Sequence, residues 1–200
     1  MTLAVAKALL DSQNNWGMLS MNTVRCMREL GLRYPRCGYG KSFRHWLYQK
    51  NPEPYNSYGN GAAMRISPVA YVANFQPECM ELSNEITKVT HNHPDGIRGA
   101  QATAMATLAA RFRTPKSEIQ EMIETGYYSL DFTIDGIRPN YQFDASCQGS
   151  VPQAIKAFLE ANSFEETIRL AVSIGGDSDT IAAIAGGIAG AYYGVPDNLR

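Results

Sequence analysis

Two aspartates near the C-terminus stand one residue apart, in a stretch whose composition suits metal binding. The segment GGDSDT, residues 175–180, places Asp177 and Asp179 ahead of a helix made mostly of Ala, Gly and Ile. On a helix this spacing would put them on different faces, so we expect both in the loop entering the helix, turned toward one point. Two close carboxylates repel unless a cation or a proton lies between them. With the Thr180 hydroxyl they offer three hard oxygens, which suit Mg²⁺ or a similar cation.

The same residues also have a simpler interpretation. Aspartate and threonine are common at helix starts, where carboxylates gain from the helix dipole. Gly175 and Gly176 would let the backbone come near a ligand. The helix that follows would let its neighbours approach closely, because alanine or glycine occupies positions 182, 183, 185, 186, 187, 189, 190 and 191. The residues alone leave capping and metal binding open.

A glycine-rich motif precedes this one in the first third of the chain. SYGNGAAMR, residues 57–65, ends a loop and opens a predicted helix. Glycines and exposed backbone N–H groups at a helix start form an anion site that suits phosphate or pyrophosphate. The alternative is an ordinary helix cap made by Asn60.

A pair of histidines forms the third candidate motif. THNHPDG, residues 90–96, places His91 and His93 before another helix. The pattern H-x-H can bind zinc, but His45 is the only further histidine to act as a third ligand. We therefore favour a hydrogen bond from histidine to a ligand phosphate or ribose. An exposed turn with ordinary histidines is the alternative.

Helices must position these motifs. Loop signals cover residues 51–61, and residues 126–150 form a long aromatic segment without regular pattern, which usually indicates function. No strand alternation, repeat or linker is found, so the sequence predicts one compact all-α domain over residues 1–200. Apolar spacing predicts helices over about 2–11, 21–32, 42–49, 62–75 with a distortion at Pro68, 77–90, 97–113, 115–124, 151–161, 164–174 and 180–193.

Composition excludes several classes of protein. The net charge is −1 and no basic stripe exists, which argues against nucleic acid as a partner. No apolar run approaches the roughly 20 residues that span a bilayer. The first residues are predicted as an amphipathic helix and not as a signal peptide. The cysteines lack C-x-x-C spacing, so we expect reduced thiols in a cytoplasmic protein: Cys26, Cys37, Cys79 and Cys147.

The three motifs, in this order and spacing, resemble the ADP-ribosylglycohydrolase family. The likeness covers nearly the whole chain, including MTLAVAKALL at the start and FDASCQGSVPQAIKAFLEANSFEETIRLAVSIGGDSDT near the end. The resemblance implies an all-α, multi-helix orthogonal bundle. It further implies a hydrolase that cleaves the glycosidic bond between ADP-ribose and a protein side chain or small molecule at a centre of two Mg²⁺ or Mn²⁺ ions.

Carried over by position, the resemblance implies that Asp177, Asp179 and Thr180 ligate metal. Partners would be ADP-ribosylated proteins or small ADP-ribose conjugates. The segment 126–150 would lie near the adenine, with stacking candidates Tyr127, Tyr128 and Tyr141. The diphosphate and ribose would be bound by Ser57, Tyr58, Gly59, Asn60, Gly61 and His91.

The sequence departs from the family pattern at its start. Family members begin with G-D-x-x-G and a nearby Glu, followed by a T-D-D-T motif that supplies further metal ligands; this sequence begins at Met1, just beyond that motif, and stops soon after the metal-motif helix. We therefore expect an N-terminally truncated bundle with half of the metal ligands, and no catalytic Glu can be assigned. A misassigned start codon is favoured over a degenerate paralogue or a fragment. The alternative function is a non-catalytic ADP-ribose-binding remnant.

Overall fold

The fold is built from helices joined by loops. The computed structural model describes residues 1–13 and 15–199. The α-helices are α1 Thr2–Asp11, α2 Leu19–Arg33, α3 Lys41–Tyr48, α4 Val69–Val72, α5 Gln76–Thr87, α6 Pro94–Arg111, α7 Lys116–Gly126, α8 Ile134–Ile137, α9 Cys147–Glu160, α10 Phe164–Ser173 and α11 Ser178–Tyr193. Over the described residues no strand forms, and the only β-type pairing is an isolated bridge between Gly59 and Ser146. The predicted all-α class is confirmed.

Helix α6 lies at the centre of the core, where it packs against α5, α9 and α11. Its buried residues are mostly small, as Ala100, Ala104 and Thr107 illustrate. Small side chains let the surrounding helix axes come close, so α6 can be enclosed on several sides.

Helix α11 makes the close contacts that its composition predicts. A Cβ atom at Gly187 would lie 3.1 Å from Cβ of Ser67, and one at Gly186 would lie 3.0 Å from Cδ1 of Ile168. Both distances are tighter than ordinary packing, so a larger residue would require Ser67 or Ile168 to shift. The middle of α11 thus packs closely against the segment that follows the glycine-rich motif and against α10.

The predicted helix over residues 62–75 is wrong. The segment after Asn60 forms successive turns, with the Ala63 N–H donating to the Asn60 carbonyl at 2.9 Å, and only α4 is helical. Pro68 explains the difference, because it has no N–H to donate to Met64 and its ring would clash with that carbonyl. The phosphate site predicted at a helix start is therefore not provided by a regular helix.

Two helix starts also differ from the prediction. Helix α9 begins at Cys147 and not at 151, since Ser146 caps it by accepting a 3.0 Å hydrogen bond from the Gly149 N–H. Helix α11 begins at Ser178, so Asp177 is its N-cap residue and Asp179 lies in its first turn. The expectation that both aspartates precede the helix is wrong for Asp179.

Two further features bear on the sequence predictions. Within the described residues, no helix combines the length and the apolar character that a membrane crossing requires. The four cysteines are free thiols; Cys37 is exposed and the other three are buried.

Candidate functional site

The glycine-rich motif and the aspartate motif meet through the side chain of Asn60. Its Nδ2 atom donates a 2.6 Å hydrogen bond to Oδ2 of Asp177 and a 2.8 Å hydrogen bond to Oγ of Ser150. Asn60 and Ser150 are buried, whereas Asp177 is partly exposed. The Asn60 side chain therefore links its loop to two distant segments of the chain. It does not act as the ordinary helix cap that the sequence offered as an alternative.

The loop over residues 57–61 is held against the start of α9 by backbone hydrogen bonds. The Asn60 N–H donates to the Ala145 carbonyl at 2.8 Å, and the Cys147 N–H donates to the Tyr58 carbonyl at 2.9 Å. Within the loop, Oγ of Ser57 accepts from the Gly59 N–H at 3.1 Å. These bonds fix the loop, while the Tyr58 side chain stays exposed.

His91 lies directly behind this loop. A Cβ atom on Gly61 would be 3.5 Å from Nε2 of His91, and one on Gly59 would be 3.8 Å away. The imidazole is buried, and burial together with the charge of Arg65 lowers the pKa of His91 to about 2. His91 is therefore neutral at physiological pH, and the exposed-turn alternative does not apply to it.

The second histidine of the motif has a different place. His93 is the N-cap residue of α6, and its Nδ1 accepts a 3.1 Å hydrogen bond from the Asp95 N–H. Its ring also contacts Tyr58 edge-on, with centroids 5.3 Å apart. The Nδ1 atom of His93 is thus engaged at the helix start, which does not support a shared zinc site with His91.

The two aspartates interact with each other. Burial raises the pKa of Asp177, the hydrogen bond from Asn60 opposes this shift, and the neighbouring Asp179 carboxyl raises the pKa again. Asp177 makes no capping hydrogen bond to the helix that it begins. Asp179, in contrast, accepts a 2.8 Å hydrogen bond from the Thr180 N–H in the first turn of α11, so the simpler capping interpretation holds for Asp179 and not for Asp177.

The oxygen atoms of the aspartate motif are of the type that a hard cation prefers, but they are few. Mg²⁺ is commonly held by one or two carboxylates and completed by water, and Asp177, Asp179 and the buried hydroxyl of Thr180 offer oxygen ligands only. The Thr180 Oγ1 atom has a weak 3.9 Å contact to Sδ of Met64. However, no group of three or more His, Cys, Asp or Glu side chains placed to hold a metal occurs in the described chain. The oxygen atoms of this motif suit a hard cation, and metal binding by Asp177, Asp179 and Thr180 stays a prediction.

The N-terminus of α1 borders the same site. The Thr2 hydroxyl donates to the Met64 carbonyl at 3.4 Å. Burial, and next the charge of Arg65, lower the pKa of the Met1 amino group. The first residues of the chain thus lie beside the segment that contacts Thr180.

Two of the candidate stacking tyrosines lie close to these motifs. Tyr141 packs on Gly176, where a Cβ atom would be 2.5 Å from Cε1 of the ring, and its hydroxyl donates to the Gly149 carbonyl. The Tyr128 hydroxyl is buried without a hydrogen-bond partner, and Arg98 lies over its ring at 5.3 Å. The carbonyl of Tyr127 accepts from Arg98. Stacking on adenine stays a prediction for all three.

Sequence reasoning missed three residues that contact the predicted ones. Ser150 bonds to Asn60, and Arg65 and Thr90 surround His91. Arg65 could have been noticed as a lone cation within the apolar run AAMRIS. No local signal identifies Ser150, which reaches the site because it lies near the start of α9.

The all-α fold, with a glycine-rich loop joined to an aspartate pair at the start of a small-residue helix, defines a class of protein. The sequence model of the ADP-ribosylglycohydrolase family matches residues 1–199, and the chain belongs to this family. A solved structure titled ADP-ribosylglycohydrolase-related protein complex aligns with a TM-score of 0.74 at 23% identity, covering 99% of this chain and 72% of that one. The predicted fold type is thereby confirmed.

Curated relatives are similar at low identity. An uncharacterized protein of Archaeoglobus fulgidus is 30% identical, with 68% of this chain and 50% of that protein covered. ADP-ribosylhydrolase ARH3 of Bos taurus is 25% identical, with 70% and 51% covered. ADP-ribosyl-[dinitrogen reductase] glycohydrolase of Rhodospirillum rubrum is 29% identical, with 70% and 47% covered. The chain thus spans about half the length of the curated relatives it matches.

Proposed function

We propose that this protein is a hydrolase that cleaves the glycosidic bond between ADP-ribose and a protein side chain or small molecule, with Mg²⁺ or Mn²⁺ as cofactor. The hydrogen bond from Asn60 to Asp177 carries the proposal, because it joins the loop that would bind the nucleotide to the carboxylates that would bind the cation. The family membership and the names of the relatives supply the chemical class.

Each group of site residues would have a separate role. The loop Ser57–Gly61 and His91 would bind the diphosphate and ribose. Asp177, Asp179 and Thr180 would hold the cation, with Asn60 orienting the carboxylate of Asp177. A bound cation would orient sugar hydroxyls, activate water and stabilise the charge that develops as the bond breaks. The four free cysteines support a cytoplasmic location as part of the proposal.

A second candidate function is binding of ADP-ribose without catalysis. It is favoured by the metal-ligand set, since the described residues contribute two adjacent carboxylates and no larger group of metal-binding side chains. The loop and His91 could still recognise the nucleotide, because neither depends on a second cation.

The test is release of ADP-ribose from an ADP-ribosylated protein mixture by this 200-residue chain, with Mg²⁺ and with EDTA. The variant is Asp179→Ala, and the matched control is Glu121→Ala, an exposed carboxylate on α7, which lies outside the site. Turnover abolished by EDTA and by Asp179→Ala alone supports the hydrolase. Binding of free ADP-ribose without turnover supports the second function. Folded protein with neither property contradicts both.

A further inference from the structure

The guanidinium group of Arg65 is buried beside His91 of the candidate site. Arg65 is 2% exposed, and no carboxylate of the described residues lies within ion-pair distance of it. Its Nη2 atom donates a 2.6 Å hydrogen bond to Oγ1 of Thr90 and is 3.4 Å from Nδ1 of His91. Burial lowers the pKa of Arg65 to about 10, which leaves the guanidinium charged at neutral pH. Burying a charge without a carboxylate partner costs folding free energy, so the groups that Arg65 contacts should show what role it has.

The hydrogen-bonding chemistry of these groups determines where the imidazole proton lies. A guanidinium has donors only, so its charge favours a lone pair over a proton on the Nδ1 atom that lies 3.4 Å from Nη2 of Arg65. The Thr90 oxygen accepts from Arg65, which leaves the Thr90 hydroxyl proton free to donate to Nδ1 of His91 across 2.7 Å. A proton on Nδ1 would instead compete with Nη2 of Arg65 for the same Thr90 oxygen, and it would sit on an atom 3.4 Å from the positively charged guanidinium. A neutral imidazole with an acceptor at Nδ1 carries its proton on Nε2.

We infer that Arg65 and Thr90 are positioning residues that hold His91 in the tautomer with Nε2 as a hydrogen-bond donor. The Nε2 atom lies beside Gly59 and Gly61, where no residue of the described chain accepts a hydrogen bond from it. Because both residues are glycines, no side chain on either one stands between Nε2 and an approaching ligand oxygen. The site would therefore select acceptor groups, such as phosphate or ribose oxygens, at this point.

The ligand in this inference rests on the proposed function, whereas the tautomer is a property of the free protein. The two can be tested separately by nitrogen-15 NMR of the chain labelled at histidine, which distinguishes protonated from unprotonated ring nitrogens. The chain has three histidines, and His91→Gln assigns the relevant signals. We expect Nε2 of His91 to be protonated and Nδ1 to be unprotonated.

Two variants test the positioning role. Thr90→Val removes the hydroxyl with little change of shape, and Arg65→Met removes the buried charge while filling similar volume. Both should increase the Nδ1-protonated fraction of His91, and Arg65→Lys should restore the wild-type tautomer in part. Thr87→Val is the matched control, because the Thr87 hydroxyl is buried and has no hydrogen-bond partner.

ADP-ribose affinity of the same samples separates the two hypotheses. Thr90→Val should bind about three- to tenfold more weakly, the effect of one hydrogen bond, while Thr87→Val should match the wild type. A wild-type proton on Nδ1, or a tautomer unchanged in both Thr90→Val and Arg65→Met, would overturn the inference. The expected tautomer without ADP-ribose binding would support the positioning role and overturn the proposed ligand.

Discussion

The amide of Asn60 donates a 2.6 Å hydrogen bond to the carboxylate of Asp177, although 117 residues separate them. This contact decides the geometry of the site, because it fixes one carboxylate of an adjacent pair against the glycine-rich loop. Burial and the carboxyl of Asp179 raise the pKa of Asp177, while the amide opposes the shift. The site therefore brings two carboxyl groups close together beside the glycine-rich loop, and a cation bound between them would relieve their repulsion.

Asn60→Asp should destabilise the protein in the absence of divalent cations. A third carboxylate would replace the donor to Asp177 and repel it, at a cost of about 1–3 kcal/mol in the free energy of unfolding. Added Mg²⁺ should recover part of this loss. Urea denaturation with Mg²⁺ and with EDTA measures both effects, and Asn51→Asp, at an exposed position just after α3, is the control. Equal Mg²⁺ responses of the two variants would contradict a cation site at Asp177.

Gly176→Ala should cost more stability than Gly175→Ala. Both glycines have positive φ angles, +59° and +80°, so alanine is strained at either position. A Cβ at Gly176 would also lie 2.5 Å from Cε1 of Tyr141, whereas none of the surrounding atoms comes within 4 Å at Gly175. We expect losses of about 2–4 kcal/mol and about 1 kcal/mol respectively, measured by urea denaturation. Similar losses would show that the Tyr141 contact is not tight.

Mg²⁺ should stabilise the wild-type chain against heat, and Asp177→Asn should remove the effect. Binding to the folded state alone contributes about 1.4 kcal/mol when the cation is at ten times its dissociation constant. Differential scanning fluorimetry over a Mg²⁺ titration measures the shift. Glu121→Gln, at an exposed carboxylate on α7, should retain the wild-type response. A response that survives in Asp177→Asn would place the cation elsewhere.

His91 should make the wild-type protein sensitive to mild acid. Its pKa is lowered from 6.5 to about 2 in the folded state, so below pH 6.5 the unfolded chain binds a proton that the folded chain does not. Stability is therefore lost as pH falls, by about 2 kcal/mol between pH 7 and pH 5. The measurement is the free energy of unfolding of wild type minus that of His91→Gln across this range.

The outcome that would contradict this prediction is a difference that does not change with pH. His45→Gln is the control, since His45 is exposed and should leave the wild-type pH dependence intact.

Local patterns in the sequence determined most of the helices and the order of the motifs. The amphipathic spacing of α1 and α10, and the Ser163 cap before α10, depend on neighbours three or four residues apart. The small residues of α11 likewise predicted close helix packing. The family could be identified because its motifs are short, local and ordered along the chain.

Tertiary structure decided how these motifs meet. The contacts of Asn60 with Ser150 and Asp177, and the burial of Arg65 behind His91, join segments distant in sequence, and no local pattern encodes such distances. The helix predicted over residues 62–75 fails for a related reason. Pro68 interrupts it, and the residues between Asn60 and Pro68 form successive turns instead, such as the bond from the Ala63 N–H to the Asn60 carbonyl.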